Sequence, residues 1–155
     1  MAVIPDAWFQ LAAMGCDPVS IALELDRGTE HQKHWRRKVA ALTAWAEGPY
    51  RQAFETDNLT IAVVVPSRAR LLQLLAWTDQ ELQAVGKTQL ADIFLFTDAS
   101  PVETSPFELF FSMLWYPAGQ HYAVSLLDAP SSASDPSEMR SNPMDDDEEV
   151  ESEFE

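Results

Sequence analysis

Hydrophobic and polar positions along the chain fall into short blocks of distinct period. Ala7–Ala13 (AWFQLAA) is a mostly apolar run that follows Pro5 and ends before Gly15. Val19–Asp26 (VSIALELD) alternates, with Val19, Ile21, Leu23 and Leu25 on one face and Ser20, Ala22, Glu24 and Asp26 on the other. Gly15-Cys16-Asp17-Pro18 between them predicts a hairpin of two strands. The period then changes to that of a helix. Thr29 is placed to cap a helix from Glu30 to about Glu47, striped by Trp35, Val39, Leu42 and Ala46 and stopped by Gly48-Pro49.

Leu59–Val65 (LTIAVVV) shows no alternation and is rich in β-branched residues, the pattern of a strand covered on both faces. Pro66-Ser67 opens a second helix, Arg68 to about Val85, with Leu71, Leu74, Leu75 and Leu82 inward. Ala91–Thr97 (ADIFLFT) reads as a further buried strand. Phe107–Tyr116 and Tyr122–Leu127, on either side of Pro117-Ala118-Gly119-Gln120, read as a closing hairpin, the first arm of which also suits a helix. The order β-β-α-β-α-β plus a C-terminal hairpin predicts an α/β fold with a mixed sheet flanked by helices.

Composition sharpens the domain boundaries. Of the 25 acidic residues, ten lie in residues 129–155 beside Arg140 alone, giving that segment −9 of the chain's −15. That segment is rich in Ser, Pro, Asp and Glu and too poor in aliphatics to offset its ordering entropy, so it reads as a disordered acidic tail behind a single domain over 1–128. The domain itself is only mildly acidic, at −6. A lone Cys16 excludes an internal disulfide framework. No apolar run is long enough for a bilayer and no signal-peptide pattern opens the chain, which points to the cytoplasm and away from membranes.

The chemistry-bearing residues cluster early. Strand residues two apart share a face, so Glu24 and Asp26 point the same way, and Asp6 on the neighbouring strand is able to join them. Carboxylates gathered at a strand edge suit Mg²⁺ or Mn²⁺, which activates water and stabilises charge at a phosphate. The bland alternative is a pair of acids ending a strand at the surface. Five bases follow at Arg27, Lys33, Arg36, Arg37 and Lys38. They read either as a DNA-phosphate surface or as a solvated helix face with internal ion pairs. The tryptophans fall on or beside apolar stripes and read as core. His31-X-X-His34 lacks a third ligand, and neither a Ser/His/Asp nucleophile motif nor a glycine-rich phosphate loop is present.

Pro5-Asp6 followed by Glu24-Leu25-Asp26 resembles the motif of the PD-(D/E)XK nuclease-like superfamily, a proline-aspartate and then acid-X-lysine, with Asp26 where the lysine should be. The stretches IPDAWFQL, IALELDRGTE, HWRRKVAAL, LTIAVVVPSRARL and ADIFLFTD, over roughly residues 4–98, look like the C-terminal part of the bacterial replication-relaxation family. Glu24-Leu25-Asp26-Arg27-Gly28-Thr29-Glu30 is the most specific of these pieces.

The resemblance implies a role in plasmid or mobile-element DNA replication or relaxation. It assigns Asp6, Glu24 and Asp26 as metal-binding and catalytic positions, with Lys38 on the helix as the candidate replacement for the motif lysine. Family members carry an N-terminal winged-helix region for which four residues ahead of Pro5 leave no room, so the resemblance also implies a protein partner or a homodimer. Replacing the lysine by an aspartate favours a non-catalytic accessory module with weak DNA affinity of its own. A Mg²⁺-dependent endonuclease and a pure protein-interaction module are the alternatives.

Overall fold

The computed structural model describes residues 4–12, 17–54 and 58–128. The tail expected over 129–155 lies outside the described residues. The expected hairpin forms: β1 (Ala7–Leu11) runs antiparallel to β2 (Val19–Leu25), with Ala7 opposite Leu23 and Leu11 opposite Val19. Helices α1 (Gln32–Glu47) and α2 (Pro49–Phe54) carry the chain to β3 (Leu59–Val64), which pairs parallel to β2. Helix α3 (Arg68–Ala84) and a 3₁₀ turn (Thr88–Ile93) lead to β4 (Phe94–Thr97), parallel to β3. After α4 (Pro106–Phe111), the short β5 (Tyr116–Pro117) closes the sheet antiparallel to β4. The result is an α/β fold with a five-stranded mixed sheet in the order β1-β2-β3-β4-β5.

Strand order advances in one direction through β2, β3 and β4, so crossovers of the same hand put α1 and α3 on one face. Under them lies the larger core, where Ala22, Ile61, Val63, Phe94 and Phe96 meet Trp35, Val39, Leu42, Leu71, Leu74 and Leu82. The opposite face, Ile21, Ala62 and Leu95, is covered by Trp115 and Leu126 with Leu109 and Phe110 of α4. Both faces of β3 are thus shielded, which is why its sequence shows no alternation.

Three local readings are corrected and one short helix is added. Helix α1 starts at Gln32 rather than Glu30, and His31, not Thr29, occupies the cap position without a side-chain bond. The cause is Glu30: its carbonyl accepts from Arg70 Nη2 at 2.8 Å and its carboxylate from Lys38 at 3.2 Å, holding it outside the first turn. Gly48-Pro49 ends α1 as expected, yet Pro49 also opens α2, since a helix's first position needs no N–H. Strand β4 is shorter than Ala91–Thr97 because Asp92 is exposed, whereas all four residues from Phe94 to Thr97 are buried. The closing hairpin is mostly replaced. Ser105-Pro106-Phe107-Glu108 is a capping box that starts α4, and only the Trp115–Val124 bridge remains of the expected strand pairing.

Candidate functional site: an ion-paired acidic cluster

Side-chain alternation decides where the acids go. Ser20, Ala22 and Glu24 share the face of β2 that lies under the helices, so Glu24 continues a row of core positions and is only 1% exposed. Asp26 follows one residue beyond the strand, also buried. Extending the Ala7–Leu23 pairing by one step sets Asp6 opposite Glu24. The Asp6 carboxylate accepts the Leu25 backbone N–H at 2.8 Å, which fixes the open end of β1 to β2. The acids therefore gather at the carboxyl end of β2, as the strand phase predicts.

Each buried acid has its own cation. Asp26 is held by Arg70 of α3 in a two-pronged pair, Nε to Oδ2 at 2.7 Å and Nη2 to Oδ1 at 2.9 Å. Asp26 Oδ2 also takes the Gly28 N–H at 3.0 Å. Gly28 has φ of 77°, a conformation that glycine adopts without penalty. Arg70 is further committed to the Glu30 carbonyl, to Gln73 Oε1 at 2.7 Å and to the face of Trp77, 5.2 Å from the ring centroid. The Asp26 hydrogen bonds hold the Arg70 guanidinium above its ordinary pKa.

Lys38 reaches back from the second turn of α1 to the strand end. Its Nζ lies 2.5 Å from Glu24 Oε2, an ionic contact outside hydrogen-bond angles, and 3.2 Å from Glu30 Oε1. Glu24 Oε1 is buried with no hydrogen-bond partner, and so is Glu30 Oε2, which stands 3.7 Å from His34 Nδ1. Burial pushes the Glu24 carboxyl upward in pKa; Lys38 opposes this, while the charges of Asp6 and Glu30 add to it. Burial works to lower the Lys38 ammonium, but Glu24 and Glu30 outweigh it and hold the group above its usual value. The end of β4 carries a more exposed pair, with Arg68 Nε 3.1 Å from Asp98 Oδ2 and its guanidinium over Tyr116.

This arrangement decides how a divalent ion would be received. A Mg²⁺ or Mn²⁺ site needs carboxylate oxygens free to face the ion. Both oxygens of Asp26 accept from Arg70, and one oxygen of Asp6 accepts the Leu25 N–H. Glu24 Oε1 and Glu30 Oε2 stand buried without a hydrogen-bond donor. No group of three or more His, Cys, Asp or Glu side chains among the described residues is placed to hold a metal ion.

The five bases divide. Lys38 turns inward to the acids, and Arg36 pairs with Glu81 at 2.6 Å, whereas Arg27, Lys33 and Arg37 are exposed with no carboxylate partner among the described residues. One member of the cluster, Arg70, was not among the residues picked out from the sequence. Arg70 stands at helical spacing from Leu74 and Trp77, and an arginine on a buried stripe demands an acid partner. That was the available signal. No family model, no curated protein and no solved structure matches the chain.

Proposed function

We propose that this chain is a nuclease-like α/β module, related to the C-terminal part of replication-relaxation proteins and through them to the PD-(D/E)XK superfamily. It serves as a non-catalytic accessory in plasmid or mobile-element DNA replication or relaxation. The observation that carries the reading is the two-pronged Asp26–Arg70 pair. Metal-assisted phosphodiester cleavage needs carboxylates that can turn to a cation and a base free to steady the reacting phosphate. Here two of the motif acids, Glu24 and Asp26, face the chain's own Lys38 and Arg70, which makes the cluster a brace between β2 and the two covering helices.

The partner is a protein of a DNA-processing complex or a second copy. In support, β1 is an edge strand carrying no charge, with Ile4 84% exposed beside it and Leu25 52% exposed on the next strand. One observation favours the endonuclease reading instead: Lys38 does stand over Glu24, where a migrated motif lysine would have to be. Incubating the full chain with supercoiled plasmid and Mg²⁺ or Mn²⁺ separates the two. The accessory reading expects no nicking above background. Nicking lost in both Glu24→Ala and Lys38→Ala would establish the endonuclease.

A further inference from the structure

Acids outnumber bases 25 to 10 in this chain, so each base has carboxylates to choose from. Lys38, Arg68, Arg70 and Lys87 are paired, and Arg51 is engaged as well. The bases left without a carboxylate among the described residues, Arg27, Lys33 and Arg37, all fall within one short stretch of the chain. Lys33 and Arg37 sit one helical turn apart on α1. With Gln32 and Arg36 of the same helix and Glu81 of α3 they line a cleft of about 290 Å³. Arg36 gives only its Nε to Glu81, so its two terminal nitrogens remain to donate. Against three cations the cleft holds a single carboxylate, already satisfied. The helix also begins here with no side-chain cap and no acid in its first turn, which leaves the positive end of its dipole uncompensated and adds the same sign.

We infer that this cleft between α1 and α3 binds the phosphate backbone of DNA. The inference rests on the proposed role in DNA replication or relaxation and names the surface through which the module touches its nucleic acid. A phosphate oxyanion is the group that Lys33, Arg37 and the outer nitrogens of Arg36 are built to receive, since guanidinium and ammonium donors match its oxygens. Contacts of lysine and arginine to phosphate oxygens set position and orientation and carry no sequence information, so the contact gives register and not sequence. The surrounding net negative charge makes the affinity modest and strongly salt-dependent.

The test is fluorescence anisotropy of a labelled DNA duplex titrated with the full chain across a series of salt concentrations. The wild type binds at low salt. The double variant Lys33→Ala/Arg37→Ala, whose side chains are exposed, keeps the wild-type circular dichroism spectrum but loses affinity, and the slope of log K against log salt falls by about 1.8, or ~0.9 per phosphate contact. The control Lys87→Ala, paired to Glu47 by the far end of α1, leaves the slope unchanged. Wild-type binding with an unaltered slope in the double variant overturns the cleft while leaving the accessory role standing. Binding of inorganic phosphate without duplex binding, or no binding at all, overturns it too. DNA cleavage in the plasmid assay overturns the accessory role and leaves the cleft intact.

Discussion

Asp26 and Arg70, forty-four positions apart, form a two-pronged ion pair at 2.7 and 2.9 Å that ties the end of β2 to the first turn of α3. The Arg70 side chain is 9% exposed and that of Asp26 1%, so the pair is a buried one. Its attraction is offset by the cost of removing both charges from water. Its value to the fold is therefore positional: it fixes the loop Asp26–His31, and with it the Glu30 carbonyl and the entry to α1.

Arg70→Ala removes the cation and strands a buried carboxylate, the costly way to break such a pair. Urea denaturation should show a loss of about 3 kcal/mol. The double variant Asp26→Leu/Arg70→Leu, which removes both charges, should be less destabilised than Arg70→Ala. Equal or greater loss in the double variant would show that the pair is worth more than its desolvation cost.

Glu24 predicts a pH dependence. Its carboxyl is raised above the ordinary value of 4.5 by burial, with Asp6 and Glu30 adding to the effect and Lys38 opposing it. The folded state thus keeps the Glu24 proton to higher pH than the unfolded chain does, and stability from this group falls as pH rises through that window. Glu24→Gln has no such proton to lose. Urea midpoints taken from below pH 4.5 to neutrality should shift in favour of the variant as pH increases. A wild-type–variant difference that stays constant or moves the other way contradicts the account.

Gly28→Ala tests the turn that presents the Asp26 ligand. A Cβ there meets only Pro66 Cγ, at an ordinary 3.5 Å, so the cost is conformational and comes from φ of 77°. The expected loss is about 1 kcal/mol in a denaturation midpoint. Gly86→Ala, where φ is 69° and no atom lies within 4 Å, should cost a similar amount. A much larger loss at Gly28 would mean that the turn is coupled to the whole cluster.

What was legible in the sequence follows from where periodicity is strong. The hairpin of β1 and β2 and the helices α1 and α3 lie within two residues of their expected bounds, because alternation, apolar stripes and the Ser67 cap each mark them. Strand phase also brought Asp6, Glu24 and Asp26 to one strand end. Phase alone does not say whether that end is open or covered, and here the helices crossing β2 enclose Glu24 as a core residue. Arg70 was missed because only the leucines of its helix, Leu71, Leu74, Leu75 and Leu82, were assigned to the inward stripe. For Phe107–Tyr116 the sequence left strand and helix both open, because its aromatic and apolar residues suit either; the Ser105–Glu108 capping box decides for a helix at its start.

The central claim is that the chain's own bases, not a metal ion, neutralise the acidic cluster. Chemical denaturation of the full chain with and without excess Mg²⁺ or Mn²⁺, compared with Glu24→Gln, measures this directly. An ion held only by the folded state would add about 2.7 kcal/mol at a hundredfold excess over its dissociation constant. The account predicts no stabilisation that depends on Glu24, the wild type and variant responding alike. A metal-dependent gain of that size in the wild type, lost in Glu24→Gln, would contradict it.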